Sequence, residues 1–313
     1  MNEIFTNIVA EIGVLIGKTD SAYAANIKNW WNKNYGTIWK NFMWRQAIEF
    51  DEAITLTAGV EFISLPKRVE KILAITDRVN SRVVIPITVN ILMRKYIDQI
   101  TVQDNPTLYT PAGEYGSKAT LTAAAKVQAV SNNSGDITQK VRILGLVSGE
   151  ELTETITLNG VTAVDSSYTY DSGSLLRMVS KDGTTTGTIT VKEKTANTVL
   201  ATIAPWELVP RYLRLRLLQV PLSASTLYIT YKRRHIRLVN NEDIIEIPAL
   251  DVLKKMTFAD GLTEQRQHQK ALLQTQEAQA LLAELKGGEN QGDELEQTMP
   301  EIRDLDIDAQ ITE

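Results

Sequence analysis

The sequence predicts an α+β chain. A helical core with a small β-sheet or hairpin is interrupted by an all-β insertion and closed by a long C-terminal helix. Three observations predict this. Four of the five tryptophans fall in IKNWWNKNYGTIWKNFMWRQ, residues 27–46, at helical spacing. From about residue 114 to 204 the chain becomes short alternating runs broken by Gly, Ser, Asn and Asp. From Ala249, ALDVLKKMTFADGLTEQRQHQKALLQTQEAQALLAEL reads as helix without a proline.

At 313 residues the chain has room for two domains, or for one with a large insertion. Its 43% hydrophobic and 23% charged content is that of a soluble globular protein. A net charge of −5 argues against a wholesale nucleic-acid binder. With no cysteine, disulfides, thiolate metal sites and cysteine nucleophiles are excluded. No run approaches the ~18 apolar residues of a membrane span, and Glu3 and Glu11 sit where a secretory signal needs a basic end and an apolar stretch.

Each element follows from its pattern. Ile4, Ile8, Ile12 and Leu15 lie at helical spacing, and Gly17 is placed to end that helix. Ser21 is the expected cap of a second helix. On it Ile27, Trp30, Trp31, Tyr35, Ile38, Trp39 and Phe42 cover roughly 180°, a width suited to burial rather than base stacking. Lys28, Asn29, Lys33 and Lys40 turn away. Trp44 and Arg45 fall off that face and are expected to contact a neighbour. EFISLPKRVEKILAIT is two β-prone pieces about a turn at Pro66. VVIPITVN continues as strand, Thr88 caps a short helix to Tyr96 or Ile97, and DNPTLYTPAG is a loop.

The runs KVQAV, KVRILGL, LTETITLNG, TGTITVKE and TVLATI predict a β-sandwich of immunoglobulin-like size over 114–204, without the cysteine pair or tryptophan of antibody domains. RYLRLRLLQV and TLYITYKRRHIRL read as a hairpin joined by PLSAS. The last helix would span about 50 Å, with Gly261 a point of kinking or splitting. The acidic tail alternates Leu305, Ile307, Ala309 and Ile311 with Asp304, Asp306 and Asp308, a pattern for a strand added to a partner's sheet edge or for a solvated tail.

Motifs for chemistry are missing. GVLIGKT is one residue short of a phosphate-binding loop and follows a helical pattern. DLDIDAQITE has Ala309 where a calcium loop needs glycine. His235 and His268 have no triad context. No enzyme, cofactor or metal site is expected. Charge is more informative: Arg211, Arg214, Arg216, Lys232, Arg233, Arg234 and Arg237 make the strand pair basic. Arg214 and Arg216 share one strand face, opposite Leu213, Leu215 and Leu217. Such a row suits DNA phosphates, the acidic tail of a neighbouring copy, or plain solvation.

The order of these pieces resembles the bacteriophage head–tail adaptors, the group that includes podovirus tail tubular protein A. The resemblance rests on IKNWWNKNYGTIWKNFMW, FISLPKRVEKILAIT, TLYITYKRRHIRL, NNEDIIEIPALDVL and the last helix. It divides the chain into an adaptor core (1–113 and 205–286), an inserted sandwich (114–204) and an acidic tail (287–313). It implies a structural virion protein, made in the host cytoplasm and built into the neck. There it forms a twelve-fold ring between the portal and a downstream tail protein, and DNA passes through the ring. The arginines would then face the DNA channel or adjacent subunits. Trp44, Arg45, Leu305, Ile307 and Ile311 would contact the portal or another subunit, and Trp30, Trp31, Tyr35, Trp39 and Phe42 would form the packing face. The competing reading is a host-surface, carbohydrate-binding or decoration protein working through the sandwich, with Tyr115, Tyr168 and Tyr170 as stacking platforms. A third is a DNA-binding module on the arginine strands.

Overall fold

A computed structural model describes residues 5–100, 102–240 and 243–290. The tail candidates Leu305, Ile307 and Ile311 lie outside the described residues. The described residues form two compact units, one within Met1–Ala47 and His235–Glu313 and one within Ile48–Arg234.

The expected fold class is corrected. Among the described residues strands hold 34%, in small sheets arranged like a four-bladed propeller, and there are only five helices. This is not a helical adaptor core with an immunoglobulin-like insertion. Strands between 127 and 203 pair only with one another, but the flanking segments 48–115 and 212–233 are not a helical core. Residues on both sides of 114–204 are themselves built mainly of strands.

In the first unit, α1 (Phe5–Ile16) and α2 (Ser21–Asn41) precede the β unit, which carries the short helix α3 (Val89–Lys95); α4 (Leu250–Glu264) and α5 (His268–Asn290) follow it. Gly17 ends α1 as expected. At φ 74° it lets its own N–H reach the Val14 carbonyl at 3.0 Å and the Lys18 N–H reach that of Gly13 at 2.9 Å. The cap of α2 is Asp20, not Ser21, its carboxylate accepting from the Tyr23 N–H at 2.8 Å. The α2 stripe is buried: Trp31, Tyr35, Ile38 and Trp39 join Phe5, Ile8 and Ile12 of α1 and Val252 and Leu253 of α4 in one cluster, with Trp30 and Phe42 at its margin.

Trp44 corrects the expectation of a surface contact. Past Asn41 the backbone becomes extended at Phe42 (φ −129°, ψ 153°), and Trp44 re-enters the cluster 2% exposed. Its indole N–H donates to the Ile38 carbonyl at 3.3 Å. Arg45 stays exposed. Two buried asparagines join the N- and C-terminal parts. Asn32 accepts from the Leu238 N–H at 2.8 Å and donates to the Leu238 carbonyl at 2.9 Å. Asn34 donates to Asp260 at 2.8 Å.

The long C-terminal helix is also corrected, because it breaks at 265–267 rather than at Gly261. Arg266 adopts the left-handed conformation (φ 62°), and the Gln267 N–H closes onto the Leu262 carbonyl at 2.9 Å. Gly261 serves close packing instead, since a Cβ there would lie 2.3 Å from Ile16 Cδ1.

In the β unit the strands run β1 (Ile48–Leu56), β2 (Phe62–Ser64), β3 (Val69–Asp77), β4 (Arg82–Val83) and β5 (Ile85–Pro86). Then come β6 (Gln103–Asp104), β7 (Leu108–Tyr115), β8 (Val127–Ser131), β9 (Lys140–Val147), β10 (Glu150–Thr157) and β11 (Val164–Asp165). Next are β12 (Met178–Lys181), β13 (Ile189–Glu193), β14 (Val199–Ile203), β15 (Tyr212–Leu218), β16 (Val220–Pro221) and β17 (Ser225–Arg233). The sheet orders are β1-β17-β3-β4, β2-β15-β7-β5, β10-β9-β12, β11-β8-β13-β14 and β16-β6.

The predicted hairpin does not form. β15 pairs with β2 and β7, and β17 with β1 and β3. Gln219, at φ 65°, turns the chain away between them. Pro66 does close a turn, the Val69 N–H donating to its carbonyl at 3.0 Å. Thr88 caps α3 through the Ile91 N–H at 3.4 Å.

Two predictions follow from the helical unit. Arg266→Gly relieves a left-handed side-chain residue and raises stability by about 1 kcal/mol, read by denaturant unfolding with tryptophan fluorescence. His235 lies edge-on to Tyr35 (ring centroids 4.7 Å apart), and burial, reinforced by the charge of Lys40, pulls its pKa down to about 4. Its unfolded value is higher, so stability is full above about 6.5 and is lost as pH falls through 4. His235→Phe should flatten that limb between pH 6.5 and 4; an unchanged limb refutes the assignment.

Candidate functional site: an arginine–aromatic face

The outer face of β15 carries the arginines that the sequence singled out. Leu215 and Leu217 point inward, at 0% and 1% exposure, so the alternating Arg214 and Arg216 point out. Arg216 pairs in register with Phe62 on β2, which sets that ring beside both guanidinium groups. On the other side, β7 ends at Tyr115, and a bulge between Leu213 and Leu215 offsets the register there. The guanidinium of Arg214 lies over Phe62 at 4.4 Å and over Tyr115 at 5.6 Å. Arg216 lies over Phe62 at 5.4 Å and Arg177 over Tyr115 at 5.4 Å. The result is an alternating series: Arg216, Phe62, Arg214, Tyr115, Arg177.

Gly116 makes the series possible. Its N–H donates to the carbonyls of Leu176 and Arg177, at 3.0 and 3.1 Å. A Cβ at this position would stand 2.3 Å from the Val179 nitrogen. Only glycine lets the end of β7 come that close to the start of β12, which brings Arg177 to Tyr115.

Carboxylates offset most of the charge. Arg216 pairs with Glu61 at 3.0 Å and Arg177 with Glu151 at 3.0 Å. Glu114 bridges Arg211 at 3.3 Å and Arg234 at 3.0 Å. Arg233 lies 3.4 Å from Glu49. Arg214 stacks on rings; burial lowers its pKa, with Tyr115 and Glu61 opposing. A guanidinium remains charged in any case. On this face, five guanidinium groups (Arg177, Arg211, Arg214, Arg216, Arg234) meet three carboxylates (Glu61, Glu114, Glu151), a surplus of two. Such a face is built more for geometry than for gathering phosphates, whose binding scales with the number of cations they neutralise.

The remaining candidates lie elsewhere. Arg237 belongs to the helical unit and donates to Asn29 at 2.8 Å. Lys232 is 3% exposed, so it offers no surface charge. His268 is exposed at the start of α5. Of the three tyrosines considered as sugar platforms, Tyr170 is fully buried and Tyr115 is covered by arginines; Tyr168 is 42% exposed. Among the described residues there is no cluster of three His, Cys, Asp or Glu fit to hold a metal, and no helix is long and apolar enough to cross a membrane.

Sequence reasoning missed Phe62, Arg177 and the carboxylate partners, and considered Tyr115 only as a sugar platform. Glu61 and Phe62, adjacent in EFISL, both reach Arg216, one through its carboxylate and one through its ring. The chain matches no family model and no curated protein.

A double-mutant cycle tests the series. Tyr115→Leu and Arg214→Met should each destabilise, with a coupling of about 1 kcal/mol in chemical denaturation; a coupling of zero would show the stacking to be incidental.

Proposed function

We propose that this chain is a structural subunit of a bacteriophage neck, a head-to-tail adaptor that assembles as a ring between the portal and the next tail protein, around the path of the DNA. The order of motifs along the chain supports the family part of this reading. The observation that carries the assembly part is a concentration of exposed apolar side chains between Val79 and Val102.

In that stretch Val79 is 79% exposed, Val83 57%, Val89 51%, Met93 51% and Ile97 55%, with Ile85, Ile91 and Val102 at 38–44%. On α3 the inward Leu92, with the following Tyr96, packs against Leu108 and Leu218. The outward Val89, Ile91 and Met93 have nothing over them. A helix apolar on both sides is normally buried on both sides, and monomers rarely leave such stretches open. The helical unit adds Val14, Leu15, Leu272 and Leu273, each above half exposed. A subunit of a closed ring needs two different faces of this kind, one for each neighbour. The arginine–aromatic face, largely neutralised, suits a structural part better than a phosphate-binding one.

Native mass spectrometry and negative-stain imaging of the purified chain, alone and mixed with portal, test this reading. Rings or portal-bound complexes are expected. Met93→Lys with Ile97→Lys should abolish them while changing monomer stability by less than about 0.5 kcal/mol, as at exposed sites generally. A chain that stays monomeric with portal present would end the proposal.

A further inference from the structure

The β unit carries a cavity of about 600 Å³ between the turn that follows β3 and the start of β17, lined among others by Arg78, Asn80, Asn105, Ser223, Thr226 and Tyr228. Leu227, Ile229 and Tyr231 are buried, so the alternating Thr226 and Tyr228 stand on the outer face of β17. β17 lies between β1 and β3, and both neighbours reach over it. Arg78, the residue after β3, lays its guanidinium over the Tyr228 ring at 4.1 Å and pairs with Asp51 of β1. Asp51 occupies the β1 bulge in the left-handed conformation, at φ 57°. Backbone strain of this kind collects at ligand clamps and other functional positions. The turn is fixed as well. The buried Asp77 carboxylate accepts from the Asn80 N–H at 3.1 Å, from the Asn80 side-chain amide at 2.6 Å and from Arg82 Nε at 3.3 Å.

The lining selects its ligand by chemistry. No carboxylate lines the cavity, and the one cation among the lining residues, Arg78, already has its counter-charge in Asp51. A phosphate or sulfate is held by charge-assisted bonds from surplus cations, which are missing here. The hydroxyls of Ser223, Ser225 and Thr226, the phenol of Tyr228 and the side-chain amide of Asn105 have no hydrogen-bond partner among the described residues. Each of these groups both donates and accepts. That double capacity matches alcohols, which do the same, better than a phosphate, which chiefly accepts, or an ammonium group, which only donates. Val79 and the Tyr228 ring add apolar wall, and a sugar presents apolar C–H faces beside its hydroxyls. The volume is that of a small-molecule pocket.

We propose that this cavity binds a neutral oligosaccharide, whose hydroxyls bond Ser223, Thr226 and Asn105 while the stacked Arg78 and Tyr228 form the wall behind it. The site lies outside residues 114–204 and serves a single chain as well as a ring, so it stands or falls apart from the neck reading.

Saturation-transfer NMR of the full-length protein with maltotriose, lactose, mannotriose and triacetylchitotriose tests it. Transfer to at least one of these sugars is expected, unchanged in about 0.5 M salt because the ligand carries no charge to screen. Asn105→Ala with Ser223→Ala removes two side chains that bond nothing else, so circular-dichroism melting should stay constant while affinity falls about 5-fold or more. Ala224→Trp, at an exposed lining residue just before β17, fills the cavity and should abolish transfer. No transfer to any of these sugars, or transfer indifferent to both variants, would overturn the proposal. So would salt-sensitive binding with displacement of the sugar by inorganic phosphate, which would assign the cavity to anions.

Discussion

The β unit depends on β15 and β17 not pairing with each other. They are neighbours in sequence and have the composition of a hairpin, yet each is an inner strand of a different sheet. Gln219, in the left-handed conformation, and the short parallel pair of Val220–Pro221 with Gln103–Asp104 hand the chain from one sheet to the other. The inward side chains then meet across the gap: Leu215 and Leu217 from β15 share a cluster with Leu227, Ile229 and Tyr231 from β17. Each such side chain contributes roughly 1.5–3 kcal/mol when fully buried, so the two sheets hold each other in place. With the leucines committed inward, Arg214 and Arg216 have no alternative to the outer face, and that face acquires its rings from β2 and β7.

The two units handle buried polar groups in a common way, by satisfying them with backbone. In the β unit, Asp136 is 1% exposed and accepts from Ser131 Oγ at 2.6 Å and from the Thr186 and Gly187 N–H groups at 2.8 and 2.9 Å. Burial alone would raise its pKa; those bonds and the charge of Lys181 outweigh burial and hold it low. In the helical unit, Asn32 plays the equivalent part on Leu238. Leaving any such group without its partner costs about 1–3 kcal/mol, which makes these positions poor places for substitution and good markers of the native topology.

What was legible in the sequence was local. The aromatic stripe of α2, the glycine that ends α1, the Pro66 turn and the Thr88 cap are each written within a few residues. Asp20 against Ser21 is a one-residue ambiguity that capping chemistry alone does not resolve. The break at Arg266 escaped notice because a non-glycine residue takes the left-handed position there, while Gly261 drew attention for the wrong reason. The fold class went astray through pairing at a distance: the seven threonine-rich strands of 114–204 look distinct, but ten strands flank them and pair only with one another. The arginine face was half legible. Its arginines are visible as an alternation, whereas Glu61 lies 155 residues from Arg216 and Glu114 lies 97 from Arg211, separations at which no local pattern operates.

The clasp of Asn32 on Leu238 has a consequence for the birth of the molecule. These partners are 206 residues apart, and the whole β unit is translated between them. At ~5–20 residues per second, α1 and α2 wait on the order of ten to forty seconds with Trp31, Tyr35 and Trp39 uncovered. The β unit is the first of the two units to have all its residues translated. The oldest part of the chain is therefore among the last to find its packing partners.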